Sequence, residues 1–330
     1  MIMNQRERVL TALRHEQPDK VPWAFEFTDQ ALVKLVDYYG DPRLVDIEFF
    51  DNWVGNHFRF VEPRAKGLFH GLEEEVEPGL WRDGWGVIWD TRGLYGEGEW
   101  GRPVNSVLPQ PTLANYTFPD PPSLEDYAHY PRFVEENRES FIIGFEGHLF
   151  EVAWALRGIE EFLSDLILNP GFVFDLLECI TEYYLAFIDQ SVAYGIDAFA
   201  FGEDLGSQTT GLIMGPKHWR RFFKPFMARM FARVKEAGKF VYMHSDGQID
   251  DIFEDFVEIG LDIYNPFQPE IRDVYEIKRE YGDRLCFHGG IGIQELLPHG
   301  TPQQVTAEIQ HLIDDVGANG GYILGPAHAV

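Results

Sequence analysis

Cysteine and long apolar runs are both scarce in this sequence. The 330 residues include two cysteines, Cys179 and Cys286, which form no spacing motif, so we expect two reduced thiols in a cytoplasmic protein. No apolar run approaches the roughly 20 residues that a transmembrane helix requires. The first residues are charged and amphipathic, which is not typical of a signal peptide. The sequence therefore gives no indication of a membrane location.

Positive charge is also scarce. The 27 Lys and Arg are outnumbered by 54 Asp and Glu, which leaves a formal net charge of −27. Such a charge repels nucleic acids and anionic membranes, so neither is expected as a partner. It also disfavours a highly anionic substrate, unless arginine residues are concentrated around the binding site.

A repeating unit is present from Phe141 onward. Helix, glycine, short apolar strand and polar loop follow one another about five times, which predicts parallel strands with helical crossovers. No Gly-x-Gly-x-x-Gly loop joins a predicted strand to a predicted helix, so a dinucleotide-binding sheet is disfavoured. About eight strands in one chain favour a (β/α)8 TIM barrel, with residues 1–330 forming a single domain.

The N-terminal part is predicted to begin with helices. Asn4 and Glu7 have the spacing of a capping box, as do Thr301 and Gln304 near the other end of the chain. Residues 21–27 are expected to form the first buried strand, and residues 29–79 to be mostly helical. Residues 80–131 are expected to form an insertion, with a β-hairpin whose arms are 83–90 and 92–103, followed by a proline-rich crossing.

Polar residues stand where the predicted strands end, which is where barrel enzymes form their active sites. The segment 239–247 is a predicted strand on which Tyr242, His244 and Asp246 alternate onto one side. A His and an Asp two residues apart can reach one metal ion or one substrate atom, although a core histidine and a helix-capping aspartate would give the same pattern. The other polar strand-end residues are Glu26, Glu146, Glu203, Asp204, Asn265, Gln268, His288 and His328.

Several of these residues also have a structural explanation. Glu203 and Asp204 could cap a helix, and Asn265 precedes a proline, which is a turn signal. The glycines after His288 indicate either a close backbone approach to a ligand, beginning at Gly289, or a plain loop. An aromatic group could form a wall of the pocket or pack in the core; its members are Trp23, Phe25, Trp85 and Trp89.

Short motifs are distributed over nearly the whole chain. They are Arg8-Val-Leu-Thr-Ala-Leu13 with Val21-Pro22, Gly84-Trp-Gly-Val-Ile-Trp89, Phe145-Glu-Gly, Gly202-Glu-Asp-Leu-Gly-Ser207, His244-Ser-Asp-Gly247, Gly289-Gly-Ile-Gly and Gly321-Tyr-Ile-Leu-Gly-Pro-Ala-His328. These motifs resemble those of the uroporphyrinogen decarboxylase superfamily. The resemblance implies a (β/α)8 barrel and one of two chemistries. One is metal-free decarboxylation of the acetate arms of uroporphyrinogen. The other is zinc-dependent methyl transfer that involves a corrinoid protein, with coenzyme M or methylated substrates.

The resemblance is nearer to the methyltransferases. The decarboxylases carry an arginine-rich loop after the first Val-Pro, whereas here no arginine follows Pro22 until Arg43. The methyltransferases hold zinc between a His-x-Cys pair and a later Cys. His244 and Asp246 fall on the pair and His328 falls near the later cysteine, although His328 also matches a histidine motif of the decarboxylases.

The expected function is therefore metal-dependent methyl transfer between a small methylated or hydroxylated substrate and a corrinoid partner protein. The resemblance implies a Zn²⁺ site formed by His244, His328 and a carboxylate. The carboxylate is Asp246, Glu203 or both. These ligands would also suit manganese or iron. Asp204 would orient a histidine, and the expected catalytic residues are Glu203, Asp204 and Asp246. The expected substrate contacts are Glu26, Trp23, Glu146, Asn265, Gln268, His288 and Gly289.

Three alternatives stay open at this stage. They are decarboxylation of uroporphyrinogen, hydrolysis by a metal-bound water, and an inactive relative that senses a corrinoid or another ligand. A homodimer is compatible with the sequence. Because relatives continue with another helix after the last strand motif, a truncation after Val330 is one interpretation of where the sequence stops.

Overall fold

Seven parallel strands form one curled sheet in the computed structural model, which describes residues 2–65, 68–69, 71–92 and 101–330. The strands are neighbours in the order in which they occur along the chain. They are β1 (Phe58–Val61), β2 (Phe141–Gly147), β3 (Ala198–Gly202), β4 (Phe240–His244), β5 (Ile263–Phe267), β6 (Cys286–Ile291) and β7 (Tyr322–Pro326). The sheet curls far enough to bring Phe58 of β1 against His288 of β6, with ring centroids 5.1 Å apart.

An extended segment connects the two edges of this sheet. Trp23 forms an isolated parallel bridge with Leu324 of β7, and the Ala24 amide donates to the Leu324 carbonyl at 3.0 Å. On the other side, the amide of His57, which directly precedes β1, donates to the Trp23 carbonyl at 2.9 Å. Residues 21–27 thus contribute one bridge and not the predicted strand. The described residues show an α/β fold with seven regular parallel strands, one fewer than the (β/α)8 prediction.

The backbone of this segment explains why no regular strand forms. Pro22 has no N–H to donate. Both backbone groups of Phe25 are bonded to the Asn56 side chain, with the Phe25 amide donating to Oδ1 at 2.8 Å and Asn56 Nδ2 donating to the Phe25 carbonyl at 2.9 Å. A side chain therefore satisfies groups that a strand would pair with its neighbour.

Helices cover the outer face of the sheet. The described α-helices are Gln5–Leu13, Asp29–Tyr39, Ile47–Val54, Tyr130–Glu136, Phe150–Arg157, Ile159–Leu168, Pro170–Ser191, Pro216–Phe222, Lys224–Glu236, Phe253–Ile259, Val274–Tyr281, Leu296–His299 and Pro302–His311. The capping boxes predicted at Asn4 and Thr301 are both confirmed. None of these helices combines the length and apolarity that crossing a membrane requires.

The region between the first helices and β2 differs from the prediction. Residues 29–79 were predicted to be mostly helical, but among the described residues the helices of this segment end at Val54 and are followed by β1 and the strand Glu74–Glu77. That strand pairs with Leu80–Arg82, which pairs with Ile88–Asp90 and then Arg102–Pro103, so a four-stranded antiparallel sheet begins before the predicted insertion 80–131 and continues into it. Most of the predicted return arm, residues 93–100, lies outside the described residues.

Asp83 explains why the predicted arm 83–90 is divided. Its Oδ1 accepts hydrogen bonds from the amides of Trp85 and Val87, both at 2.9 Å, and its Oδ2 accepts one from Trp89 Nε1 at 2.8 Å. An aspartate that binds the following backbone in this way forms a turn. The turn reverses the chain before Ile88–Asp90.

The interior of the curled sheet is filled by an apolar cluster of side chains, here called the interior layer. Each of the seven strands contributes to it, through Phe58, Phe141, Ala198, Tyr242, Ile263, Cys286 and Ile323 among others. A second and larger core lies between the sheet and the helices. Because the interior layer is closed, the space that could receive a ligand lies at the carboxyl ends of the strands.

Candidate metal centre

Three of the predicted metal ligands meet at the carboxyl ends of β4 and β7. His244 is the last residue of β4, Asp246 follows it in the loop, and His328 comes just after β7. One ligand atom of each residue lies within 4.8 Å of the other two. His244 Nε2 is 3.8 Å from Asp246 Oδ1, and His328 Nε2 is 3.9 Å from Asp246 Oδ2. Ligands of a tetrahedral zinc stand about 3.3 Å apart, so the ligand atoms would have to approach one another by roughly 0.5–1.5 Å to reach coordination distance.

The cluster borders a small cavity that is open to solvent. The space, with its mouth included, is about 250 Å³. Its lining residues are Ala24, Glu26, His244, Asn265, His288, Pro326, His328 and Ala329. Among the described residues, no Lys or Arg lines this cavity, so the positive charge that a polyanionic substrate needs is not supplied there.

Asn265 contacts two of the histidines. In the sheet register His244 lies beside Asn265 of β5 on one side and Gly202 of β3 on the other. Asn265 Oδ1 is 2.6 Å from His244 Nδ1, while Asn265 Nδ2 is 3.2 Å from His288 Nδ1 and 3.1 Å from the His288 carbonyl oxygen. The sequence predicted that Asn265 binds substrate. The structure places it at the cavity wall and also shows it holding the first metal-ligand candidate.

His288 lies at the floor of the cavity, and both of its ring nitrogens have polar partners. Its Nε2 is 3.2 Å from the Ala24 carbonyl oxygen and its Nδ1 is 3.1 Å from the Tyr242 hydroxyl. Burial lowers the pKa of His288 to about 4, so the ring is neutral at neutral pH. Its position at the cavity floor agrees with the predicted substrate contact, although both ring nitrogens already have partners in the protein.

His328 is the most exposed of the three candidate ligands, with 46% of its side chain accessible. The Ala329 amide donates to His328 Nδ1 at 2.8 Å, so in the neutral ring the proton lies on Nε2, which faces Asp246. Binding of a metal through Nε2 therefore requires this amide hydrogen bond to break. The exposure of the ring leaves room for that reorientation.

The loop that carries Asp246 is held tightly on both sides. A Cβ at Gly247 would lie 2.2 Å from the carbonyl carbon of Gly206, which shows how closely the loops after β3 and β4 approach. The Arg272 guanidinium donates to the Gly247 carbonyl at 2.7 Å. Asp204 Oδ1 accepts the Asp246 amide hydrogen at 3.2 Å. The prediction that Asp204 orients a histidine is therefore corrected, because Asp204 contacts the backbone of the aspartate.

Glu203 does not join the metal cluster. Its carboxylate is buried and accepts hydrogen bonds from the amides of Leu149 and Phe150, where the helix Phe150–Arg157 begins. Burial raises the pKa of Glu203 to about 8, against the opposing effect of these two amides. The structure thus gives Glu203 the capping role that the sequence left open, but on a helix that precedes it in the chain. Its predicted roles as a ligand and as a catalytic group are not supported by this geometry.

The remaining predicted substrate contacts divide into two groups. Glu26 lines the cavity, whereas Trp23, Gln268 and Gly289 do not. Trp23 packs against His57 with centroids 4.3 Å apart and donates from Nε1 to a backbone carbonyl. Glu146 belongs to β2, but its side chain lies outside the described part of the structure.

Gly289 and Gln268 are structural positions. A Cβ at Gly289 would lie 2.8 Å from the Phe267 amide nitrogen, and the backbone φ is +132°. The close approach that the glycine permits is thus to β5 and not to a ligand. Gln268 directly follows β5 and is buried, with 4% of its surface exposed.

Comparisons with known proteins agree with the motifs. Residues 110–330, more than half of the chain, match the uroporphyrinogen decarboxylase (URO-D) family. A methylated-thiol–coenzyme M methyltransferase of Methanosarcina mazei is 22% identical over 218 residues, which cover 63% of this chain and 56% of that relative. This match therefore spans little more than half the length of the relative.

A solved structure, a methyltransferase from Methanosarcina mazei, shares the fold. It aligns with a TM-score of 0.71 at 18% identity and covers 99% of this chain and 94% of that chain. The fold, the family match and the similarity to a methyltransferase agree with one another. The chain belongs to the uroporphyrinogen decarboxylase family and resembles its methyltransferase-like branch.

Proposed function

We propose that this protein is a metal-dependent methyltransferase that moves a methyl group between a small O- or S-methylated compound and a corrinoid protein. The observation that carries the proposal is the meeting of His244, Asp246 and His328, with both histidines lining one cavity. The similarity to a methyltransferase adds support, because the proposed centre lies where the strands of this fold end.

The donor set fits a catalytic divalent metal. Two imidazoles and one carboxylate that leave a position open toward a cavity are the ligand pattern of catalytic zinc sites. His244 suits this role as it stands, because the hydrogen bond of Nδ1 to Asn265 directs Nε2 toward Asp246. His328 would complete the site after releasing the Ala329 amide. A bound zinc ion would supply Lewis-acid chemistry to the oxygen or sulfur that loses or gains the methyl group.

The cavity itself limits the substrate. Its small volume and mixed wall of imidazole, carboxylate and amide groups suit a compact molecule. Glu26, which is exposed at the cavity wall, offers a hydrogen-bond acceptor to a hydroxyl group of the substrate. Asp246 contributes a second negative charge. These two carboxylates would repel the acetate and propionate groups of uroporphyrinogen, so the cavity does not favour decarboxylation of that substrate.

Metal content is the first test. Zinc should be measured by mass spectrometry in the purified protein after zinc loading and dialysis, with His244→Ala as the variant and His311→Ala as its control. His311 lies at the end of the helix Pro302–His311 and pairs with Asp315. We expect about one zinc ion per chain in wild type and His311→Ala, and loss of most of it in His244→Ala. A wild-type chain that retains no divalent metal would contradict the proposal.

Methyl transfer is the second test. Cob(I)alamin should be mixed with the zinc-loaded protein and with methanol, dimethyl sulfide or anisole, and followed by its absorbance. The methyl group leaves its oxygen or sulfur without the bonding electrons, and Co(I) supplies the two electrons of the new carbon–cobalt bond, so methylcob(III)alamin forms. We expect this product in wild type and His311→Ala only. Hydrolysis products without methylcobalamin, or metal-free decarboxylation of uroporphyrinogen, would instead support the alternatives.

A further inference from the structure

A continuous set of polar contacts leads from the Ala24 carbonyl to His244. The Ala24 oxygen contacts His288 Nε2 at 3.2 Å, and His288 Nδ1 contacts Asn265 Nδ2, also at 3.2 Å. Asn265 Oδ1 then contacts His244 Nδ1 at 2.6 Å. The Ala24 and His288 carbonyl oxygens can only accept hydrogen bonds, so the positions of the protons on the two rings and the orientation of the Asn265 amide can be assigned from them.

The assignment starts at the backbone. The Ala24 carbonyl only accepts, so His288 Nε2 carries a hydrogen, and Nδ1 of the neutral ring accepts. Asn265 must therefore present its NH₂ group to His288 Nδ1. The same orientation follows independently from the His288 carbonyl oxygen, which lies 3.1 Å from Asn265 Nδ2 and can only accept. The amide oxygen of Asn265 then faces His244, so His244 Nδ1 carries the hydrogen.

We propose that Asn265 is a positioning residue that holds His244 in the Nδ1–H tautomer, with the lone pair of Nε2 directed toward Asp246. In water the neutral histidine side chain prefers the Nε2–H form, so this tautomer is imposed by the protein. The nitrogen that a partner protonates determines which nitrogen can bind a metal. The metal itself rests on the proposed function, but the tautomer is a property of the protein alone.

The packing around the network keeps it in one arrangement. Asn265 is 7% exposed and His288 is 3% exposed, so water does not compete for their polar groups. Gly325 of β7 leaves room for the Ala24–His288 contact, because a Cβ there would lie 2.5 Å from the Ala24 oxygen and 2.8 Å from His288 Nε2. The orientation of the Asn265 amide is thus fixed by the backbone carbonyl groups of Ala24 and His288.

The test begins with the tautomer in the metal-free protein. Long-range ¹H–¹⁵N spectra of protein labelled with ¹⁵N-histidine distinguish a protonated from an unprotonated ring nitrogen, and the His244 signals are identified by their absence in His244→Gln. We expect protonated Nδ1 and unprotonated Nε2 at His244 in wild type. The Nε2–H form in wild type would overturn the inference. This measurement needs no Asn265 variant, so it tests the predicted tautomer even if such a variant fails to fold.

The second step changes Asn265. In Asn265→Ala we expect the Nε2–H tautomer to appear and the zinc Kd, measured by competition with a chelator, to rise about 10- to 100-fold. Asn265→Asp retains an acceptor for His244 Nδ1–H, so it should keep the wild-type tautomer at His244, but it loses the donor to His288 and should lower the stability of the fold. Asn137→Ala, which removes a side-chain hydrogen bond to the Phe133 carbonyl far from the cavity, is the control and should change neither the tautomer nor the zinc Kd.

The outcomes separate this inference from the proposed function. A wild-type tautomer and zinc affinity that persist in Asn265→Ala, with folding shown by circular dichroism, would refute the positioning role. Tight zinc binding that depends on Asn265 but yields no methyl transfer would uphold the positioning role and refute the proposed reaction.

Discussion

Replacing Glu203 by glutamine is expected to remove a pH dependence from the stability of the folded chain. The carboxyl group is buried, with 1% of the residue exposed, and its pKa is raised from 4.5 to about 8. Between these values the folded state holds a proton that the unfolded state has released. The free energy of unfolding therefore falls as pH rises through this window, by up to about 1.4 kcal/mol per pH unit. The stabilisation is complete below pH 4.5 and lost above the folded-state pKa.

The structure sets limits on the size of this effect. The amides of Leu149 and Phe150 donate to the two carboxylate oxygens and favour the ionised form, which opposes burial. The raised pKa already includes this opposing effect, so the pKa difference itself sets the total change over the window at about 5 kcal/mol at most. Glutamine does not titrate and accepts from only one amide at a time, which costs about 1–3 kcal/mol at low pH. Near pH 5.5 the free energy of unfolding should be larger for wild type than for Glu203→Gln, and this difference should become smaller toward pH 8.5.

The assay is urea unfolding followed by circular dichroism at half-unit steps from pH 5.5 to 8.5. Histidines and other acids also titrate, so the quantity of interest is the difference between wild type and variant at each pH. Glu254→Gln is the control, because Glu254 is an exposed partner of Arg284 and contributes about 1 kcal/mol or less. A difference between wild type and Glu203→Gln that stays constant or widens with pH would refute the reasoning. It would show that the two amides outweigh burial and keep the carboxylate ionised.

Two further changes test how the site is supported. Gly289→Ala places a Cβ 2.8 Å from the Phe267 amide at a positive φ and should destabilise the fold by about 2–3 kcal/mol in thermal unfolding. Gly171→Ala is the control, because a Cβ there meets nothing within 4 Å, and it should be neutral or slightly stabilising. Equal changes in stability for the two variants would contradict the argument. Arg272→Met removes the buried donor to Tyr264 Oη and the Gly247 carbonyl while keeping an apolar stem, so we expect a loss of about 3 kcal/mol and weaker zinc binding. Exposed Arg229→Met is its control, and unchanged zinc affinity in Arg272→Met would show that the loop does not depend on this contact.

The strands from β3 onward could be predicted because each follows a helix and a glycine. Gly195 and Gly260, for example, take the left-handed conformation that ends the preceding helix before β3 and β5 begin. β1 was missed although Gly55 ends the preceding helix in the same left-handed conformation, because the strand has only four residues and one of them is Arg59. Residues 21–27 were predicted as a strand from their apolar character. That pattern does not reveal that the Asn56 side chain would take the hydrogen bonds of Phe25.

Side chains alternate between the two faces of a strand, and this rule could have located some residues of the site but not others. Ala198 and Ala200 of β3 belong to the interior layer, while Phe199 and Phe201 belong to the outer core. Glu203 continues the outer series, so alternation already directs its side chain toward the helices and away from the cavity. The same rule could have removed Glu203 from the predicted ligands.

Alternation also places the correct neighbours beside His244. Tyr242 and Ile263 face the interior, so His244 and Asn265, two residues further along β4 and β5, face it as well. His288 follows from Cys286 in the same way. Alternation cannot show which end of the Asn265 amide meets His244, because that depends on the Ala24 and His288 carbonyl groups, which come from distant parts of the chain. The tautomer of the candidate ligand is thus set by tertiary contacts, whereas its position is set by local sequence.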